Sequence, residues 1–218
     1  MGRLVVIEGL DGAGKRTLAD ALSSALAAKN VSVARMAFPR YDLDVHADLA
    51  RDALHGRLGD LADSVHGMAV LFALDRHGAA DQLRLLRRDH DVVLLDRYIA
   101  SNAAYGAARL CEGADGPFVE WVRKLEVERF GIPVPDAQLM LRVPVSVAAA
   151  RADRRAEADR AREKDRYETD CGLQARCAAV YDGLAAGCWL APWSVVDGTT
   201  DHGGTADYHD LAARLLDG

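Results

Sequence analysis

No run of about 18 apolar residues occurs anywhere in this 218-residue chain, which excludes an ordinary membrane-spanning helix. Positive charge is in deficit. Lys and Arg number 27 against 33 Asp and Glu, giving a net charge of −6. That balance argues against broad nucleic-acid binding, which calls for a basic surface. Cysteine is sparse: Cys111, Cys171, Cys177 and Cys188 form no C-x-x-C pair and have no paired histidines. Reduced thiols in a cytoplasmic protein are therefore expected. The seven histidines are scattered, so no metal site built from them is expected. The first residues enter an apolar run without a basic stretch ahead of it, so no export signal is expected. Internal repeats and linkers are also lacking. With a hydrophobic fraction of 50%, residues 1–218 are expected to form a single domain with a substantial core.

What is present begins at residue 4. Leu4 to Ile7 are four apolar residues, and Gly9-x-x-x-x-Gly14-Lys15 follows directly. A buried strand feeding a glycine-rich loop and then a helix is the layout of a phosphate-binding loop. Glycines let successive N–H groups turn toward one phosphate. A helix starting near Gly14 adds the positive end of its dipole. Lys15 reaches the β/γ oxygens as a flexible point charge.

Further strands are expected at Val31–Phe38, Val92–Asp96, Ala137–Val143 and Trp193–Asp197, after Leu4–Glu8. Helical patterns fill the gaps: Lys15–Ala28, Val45–Leu54, Ser64–Arg87, Ser101–Leu110, Pro117–Phe130, Val145–Arg155, Asp165–Ala186 and Thr205–Leu216. Strands alternating with helices predict an α/β fold with a five-stranded parallel sheet covered by helices on both faces. Ligands in such sheets sit beyond the carboxyl ends of the strands.

Three other features bear on chemistry. Val92-Val-Leu-Leu-Asp96 ends an apolar strand in a carboxylate that can face the loop, and Arg97 offers a planar fork for a second phosphate. As alternatives, Asp96 is a helix cap and Arg97 a surface residue. Ser101 and Tyr105 share one helix face, as do Phe72 and Arg76 on another, beside Asp75. From Ala152 to Arg166 there is no large apolar residue, while Arg151, Arg154, Arg155, Arg160, Arg162, Lys164 and Arg166 alternate with acids. That segment is either a solvated helix face with i,i+4 pairs or a mobile lid whose arginines clamp a transferring phosphate.

Taken together, the chain resembles the bacterial thymidylate kinases, in the P-loop nucleoside-monophosphate kinase group. The supporting strings are Ile7-Glu-Gly-Leu-Asp-Gly-Ala-Gly-Lys-Arg-Thr17, Phe38-Pro-Arg40-Tyr41, Leu71-Phe-Ala-Leu-Asp-Arg76, Asp96-Arg-Tyr98 with Ser101-Asn-Ala-Ala-Tyr105, and Asp165-Arg-Tyr-Glu168. The resemblance implies a P-loop NTPase fold with an Arg-rich lid at about residues 151–166. It implies transfer of the γ-phosphoryl group of ATP to dTMP, with Mg2+, in a homodimer. Gly9, Gly12, Ala13, Gly14, Lys15, Arg16, Thr17, Arg151, Arg155 and Arg162 are the implied ATP-binding residues. Asp11, Phe38, Arg40, Tyr41, Phe72, Arg76, Arg97, Asn102, Tyr105 and Tyr167 are those implied for dTMP. Within these sets Lys15, Asp11, Arg97 and Arg155 are implied as catalytic, Phe72 as a platform for thymine, and Tyr105 as a guard of the sugar 2′ position. Asp11, Asp96 and Glu168 are the candidate metal ligands.

Two departures from the family pattern matter. Arg16 replaces the Ser or Thr whose hydroxyl binds magnesium, which moves the expected metal toward the three carboxylates. Phe38-Pro-Arg40 replaces a longer string common in many members, so one phosphate contact would fall on Arg40 alone. Two other readings are a related deoxynucleoside or nucleotide kinase with another acceptor, and a nucleotide-dependent switch or ATPase.

Overall fold

The computed structural model describes residues 1–158, 167, 171–199 and 205–217. Its frame is a five-stranded parallel sheet of β1 (Arg3–Glu8), β2 (Val33–Ala37), β3 (Val92–Asp96), β4 (Ala137–Arg142) and β5 (Trp193–Asp197), in the order β2-β3-β1-β4-β5. The central strands are runs of Val, Leu and Ile, and their side chains from Leu4 to Ile7 and Val92 to Leu95 are almost wholly buried. Continuous apolar runs are what a parallel strand covered on both faces requires. The edge strand β5 departs from that expectation, with Val195 48% exposed.

Register fixes where the site lies. Ile7 of β1 stands beside Asp96 of β3, and Ala37 of β2 also stands beside Asp96. The carboxyl ends of three strands therefore open on one edge of the sheet. Helix α1 (Lys15–Ala27) packs against β1, β2 and β3. Beyond β2 come α2 (Val45–Leu54), α3 (Val65–Gly78) and α4 (Ala80–Asp89). After β3 come α5 (Ile99–Arg109), α6 (Pro117–Arg123) and a π-helical turn, Lys124–Arg129. Helix α7 (Val145–Ala158) follows β4, α8 (Cys171–Ala186) packs on α5, and α9 (Thr205–Asp217) packs on α1.

The differences from the sequence reading have local causes. The single helix expected over Ser64–Arg87 is broken at Ala79 between α3 and α4. Gly78, a poor helix former, ends α3, and a Cβ there would lie 2.9 Å from Asp44 Oδ2. The expected Pro117–Phe130 helix widens after Arg123 into the π turn, where the Phe130 amide donates to Leu125 O at 3.0 Å. β2 is shorter than Val31–Phe38, because a turn at Asn30 precedes it and Pro39, lacking an N–H, ends the pairing. Helix α5 starts at Ile99, before Ser101. No side chain of its own caps it; instead Glu8 of β1 accepts from the Tyr98 amide at 2.9 Å and the Ser101 amide at 3.2 Å. A buried strand-end carboxylate thus serves the positive end of that helix.

Cys177 is buried, whereas Cys111 and Cys188 are exposed. Among the described residues no helix is long and apolar enough to cross a membrane.

Candidate active site

The loop between β1 and α1 is shaped by close packing. Gly12 has φ +79°, and a Cβ there would sit 2.1 Å from the carbonyl oxygen of Ala148. Gly9, at φ +143°, would place a Cβ 2.6 Å from Leu141 O. Neither position admits a side chain, so the loop is pressed onto β4 and the start of α7. Arg151 of α7 fastens it there, donating to Ala13 O and to Gly198 O, each at 3.0 Å. Arg16 and Thr17 lie exposed on the first turn of α1.

Lys15 is buried and folds back over the loop. Its ammonium donates to Leu10 O at 2.9 Å and Gly9 O at 3.2 Å. Burial and the neighbouring Arg97 lower its pKa from 10.5 to about 8, against the opposing pull of Asp11, Asp96 and Glu8. A cation held in so dry a place is poised for an anionic ligand.

Asp11 joins the loop to a second centre. One of its oxygens lies 2.5 Å from Arg97 Nη2, and the other accepts from the Tyr105 hydroxyl at 2.6 Å. Burial pushes its carboxyl upward, but Arg97, Lys15 and Tyr105 outweigh that and hold it well below the usual carboxylate range. Arg97 has φ +66°, a conformation uncommon for a non-glycine residue. It is held by its amide, which donates to Ile7 O at 2.9 Å, and by Ser101 Oγ at 3.0 Å. Glu8 supports this corner, accepting from Ser101 Oγ at 2.6 Å and from the Tyr181 hydroxyl at 2.9 Å.

From Asp11 and Arg97 a cavity of about 210 Å³ runs inward between α3 and α5. It brings together Asp11, Phe38, Tyr41, Phe72, Arg76, Arg97, Asn102, Tyr105 and Tyr167, all expected for one acceptor. Apolar side chains such as Leu54, Val65 and Met68 fill out its wall. Its inner end is polar. Arg76 and Asn102, both nearly buried, are tied to the buried carboxylate of Glu126. At the other end Tyr105 stacks on Tyr167, with ring centroids 6.1 Å apart. Tyr167 is held in turn by Arg109, whose guanidinium lies 4.9 Å from its ring and bonds its hydroxyl.

Arg40 is the exception, because it does not line the cavity. Its Nε donates to Asp75 Oδ1 at 2.7 Å and its Nη2 to Asp44 Oδ2 at 2.8 Å. Asp75 is fully buried on α3 and needs a countercharge, which Arg40 supplies. Of the three candidate metal ligands, Asp11 and Asp96 fall among the described residues. Asp11 is engaged by Arg97 and Tyr105, Glu168 lies outside the described residues, and no cluster of three ligating side chains occurs among the described residues. Arg162 and the lid beyond residue 158 also lie outside them, as does the side chain of Arg155, whose backbone belongs to α7.

Glu8, Arg109 and Glu126 are site residues that sequence reasoning missed. Two of them carried a signal. Glu8 ends an apolar strand, and Glu126 falls four residues after Val122 on the buried face of a helix. A second, wider cleft of about 560 Å³ is lined by Leu10, Arg142, Tyr181, Asp182, Asp197 and others, and holds none of the expected site residues.

This geometry places an anion-binding loop beside a cavity, with one carboxylate–guanidinium pair spanning both. The family model described as thymidylate kinase matches residues 7–182. The chain belongs to the thymidylate kinase family. Membership makes it an ATP-dependent nucleoside-monophosphate kinase, a phosphotransferase. It is 53% identical over 200 residues to the thymidylate kinase of Mycobacterium tuberculosis, covering 92% of this chain and 94% of that one. It is 36% identical over 194 residues to that of Akkermansia muciniphila, covering 88% and 81%. With the thymidylate kinase of Xanthomonas oryzae pv. oryzae it shares 35% over 202 residues, covering 92% and 78%.

Proposed function

We propose that the chain transfers the γ-phosphoryl group of ATP to dTMP, giving dTDP and ADP. The observation that carries this reading is the Asp11–Arg97 pair, which joins the phosphate loop to a cavity ending in Arg76 and Asn102. In the transfer, an oxygen of the acceptor phosphate bonds to the γ-phosphorus. The bond from that phosphorus to the β–γ bridging oxygen breaks, and ADP leaves with the electron pair. No protein nucleophile is required, so the work is positioning and charge stabilisation.

Lys15 and the loop amides bind the ATP phosphates. Phosphate oxygens replace the loop carbonyls that now receive the Lys15 protons. Arg97, now paired with Asp11, turns its remaining donors to the acceptor phosphate. Phe72 stacks on thymine, Arg76 and Asn102 read its polar edge, and Tyr105 crowds the 2′ carbon. Arg151 anchors the loop, and Arg155 and Arg162 close over ATP.

Magnesium is proposed with ATP. The residues present fit such an ion, because Asp96 Oδ1 is buried at the end of β3 without a hydrogen-bond partner, and oxygen is the ligand a hard cation takes. Asp96 and Asp11 would hold it together with Glu168, and there it would offset the charge of the triphosphate. Arg16 has no acceptor atom, so it contacts an ATP phosphate instead. A homodimer and a cytoplasmic location belong to the same proposal.

A coupled assay of ADP release against a panel of nucleosides and monophosphates tests this. dTMP should be preferred, dUMP poorer, and AMP and GMP negligible. ADP release that needs no acceptor, or a preference for AMP or GMP, would refute it.

A further inference from the structure

Glu126 lies in the π-helical turn with no exposed surface. Its carboxylate accepts from Arg76 Nε at 2.6 Å and from Arg76 Nη2 at 2.8 Å. The oxygen shared with Nη2 also accepts from Asn102 Nδ2 at 2.8 Å. The second hydrogen of that nitrogen goes to Ala69 O at 3.0 Å. A carboxylate offers only lone pairs, so every group facing it must be a donor. Turning the Asn102 amide over would set its oxygen against Glu126 and Ala69 O, two acceptors, in a buried place. Asn102 is therefore locked with its nitrogen toward the protein. Its Oδ1 is left as an acceptor, and Arg76 Nη1 as a donor, on two side chains that line the inner end of the cavity.

We propose that Glu126 sets the hydrogen-bond polarity with which the cavity reads a base. This rests on the cavity being the acceptor site. One acceptor beside one donor complements a pyrimidine with an N3–H and a 4-carbonyl. A 4-aminopyrimidine presents the reverse at both atoms, a lone pair at N3 and N–H groups at position 4. Its rejection then comes from two unpaired or opposed contacts, the kind of mismatch that discriminates strongly. Glu126 acts through Asn102 and Arg76 and is a positioning residue.

The test compares dTMP with 5-methyl-dCMP, which differ only at N3 and position 4. In the wild type dTMP should be favoured by at least about a hundredfold in kcat/KM. Glu126→Gln puts an amide N–H where a lone pair stood and lets Asn102 turn over. The preference should fall at least about tenfold, with kcat/KM for 5-methyl-dCMP rising rather than both values falling together. A parallel loss on both substrates would make Glu126 mere support and overturn the proposal. If the variant does not fold, a neutron crystal structure of the wild type with dTMP decides. Both Asn102 amide hydrogens should point to Glu126 and Ala69; hydrogens pointing at the base would overturn the inference. A wild type that phosphorylates neither nucleotide would instead refute the acceptor reading, before any variant is made.

Discussion

Lys15 should give the enzyme a pH limit that ATP removes. Burial and Arg97 lower its pKa to about 8 in the ligand-free protein. At pH 7 about nine-tenths of the molecules then carry the charge, and at pH 9 about one-tenth. Only the charged form offers the phosphates a cation, so kcat/KM for ATP should fall about tenfold between pH 7 and pH 9. Bound phosphates favour the ammonium and raise its pKa again, so kcat should stay flat over the same range. Tyr105 and Tyr181 do not confuse the profile, because burial pushes their hydroxyls well above 10. The stability sign is set by the same shift. A lysine whose folded pKa lies below its unfolded value of 10.5 destabilises the fold while charged. That cost of about 3 kcal/mol is fully present below pH 8 and is relieved as pH rises from 8 to 10.5. The assay is a pair of pH profiles for wild type and Lys15→Arg, whose guanidinium stays charged throughout. A wild-type kcat/KM that stays level to pH 9.5, or a Lys15→Arg profile that keeps the limb near pH 8, would refute the reasoning.

Other outcomes follow from the same site. Tyr105→Ala should relax discrimination between dTMP and its ribose analogue; an unchanged ratio of kcat/KM values would reduce Tyr105 to a packing residue. Arg155→Ala should lower kcat by about a hundredfold or more with little change in KM, and near-wild-type kinetics would return residues 152–166 to a solvated helix face. In magnesium titrations Asp11→Asn should weaken the metal dependence and Arg16→Ser should retain it; magnesium bound to Thr17, remote from Asp11, Asp96 and Glu168, would contradict both.

The strands were legible from their short β-branched and apolar runs. Val92–Asp96 and Trp193–Asp197 fall where the sequence places them, since each apolar run is bounded by charged or turn-forming residues. Helix ends were less legible, because they depend on partners far along the chain. Glu8, remote from residue 99, decides where α5 starts. The cavity was legible through motifs that quote its residues in order. The pairing of Arg40 with Asp75 was not legible, because Asp75 lies 35 residues on and meets Arg40 only once α3 is packed. Glu126 was overlooked for a related reason: one carboxylate in a charged stretch looks solvated until Val119 and Val122 turn its face inward.

The most direct test is a crystal structure with dTMP bound. The thymine ring should lie against Phe72, its 4-carbonyl at Arg76, its N3 at Asn102 Oδ1 and its phosphate at Arg97. dTMP seated in the cleft between Arg142 and Asp182, or bound in the cavity with its base turned away from Arg76 and Asn102, would contradict the assignment.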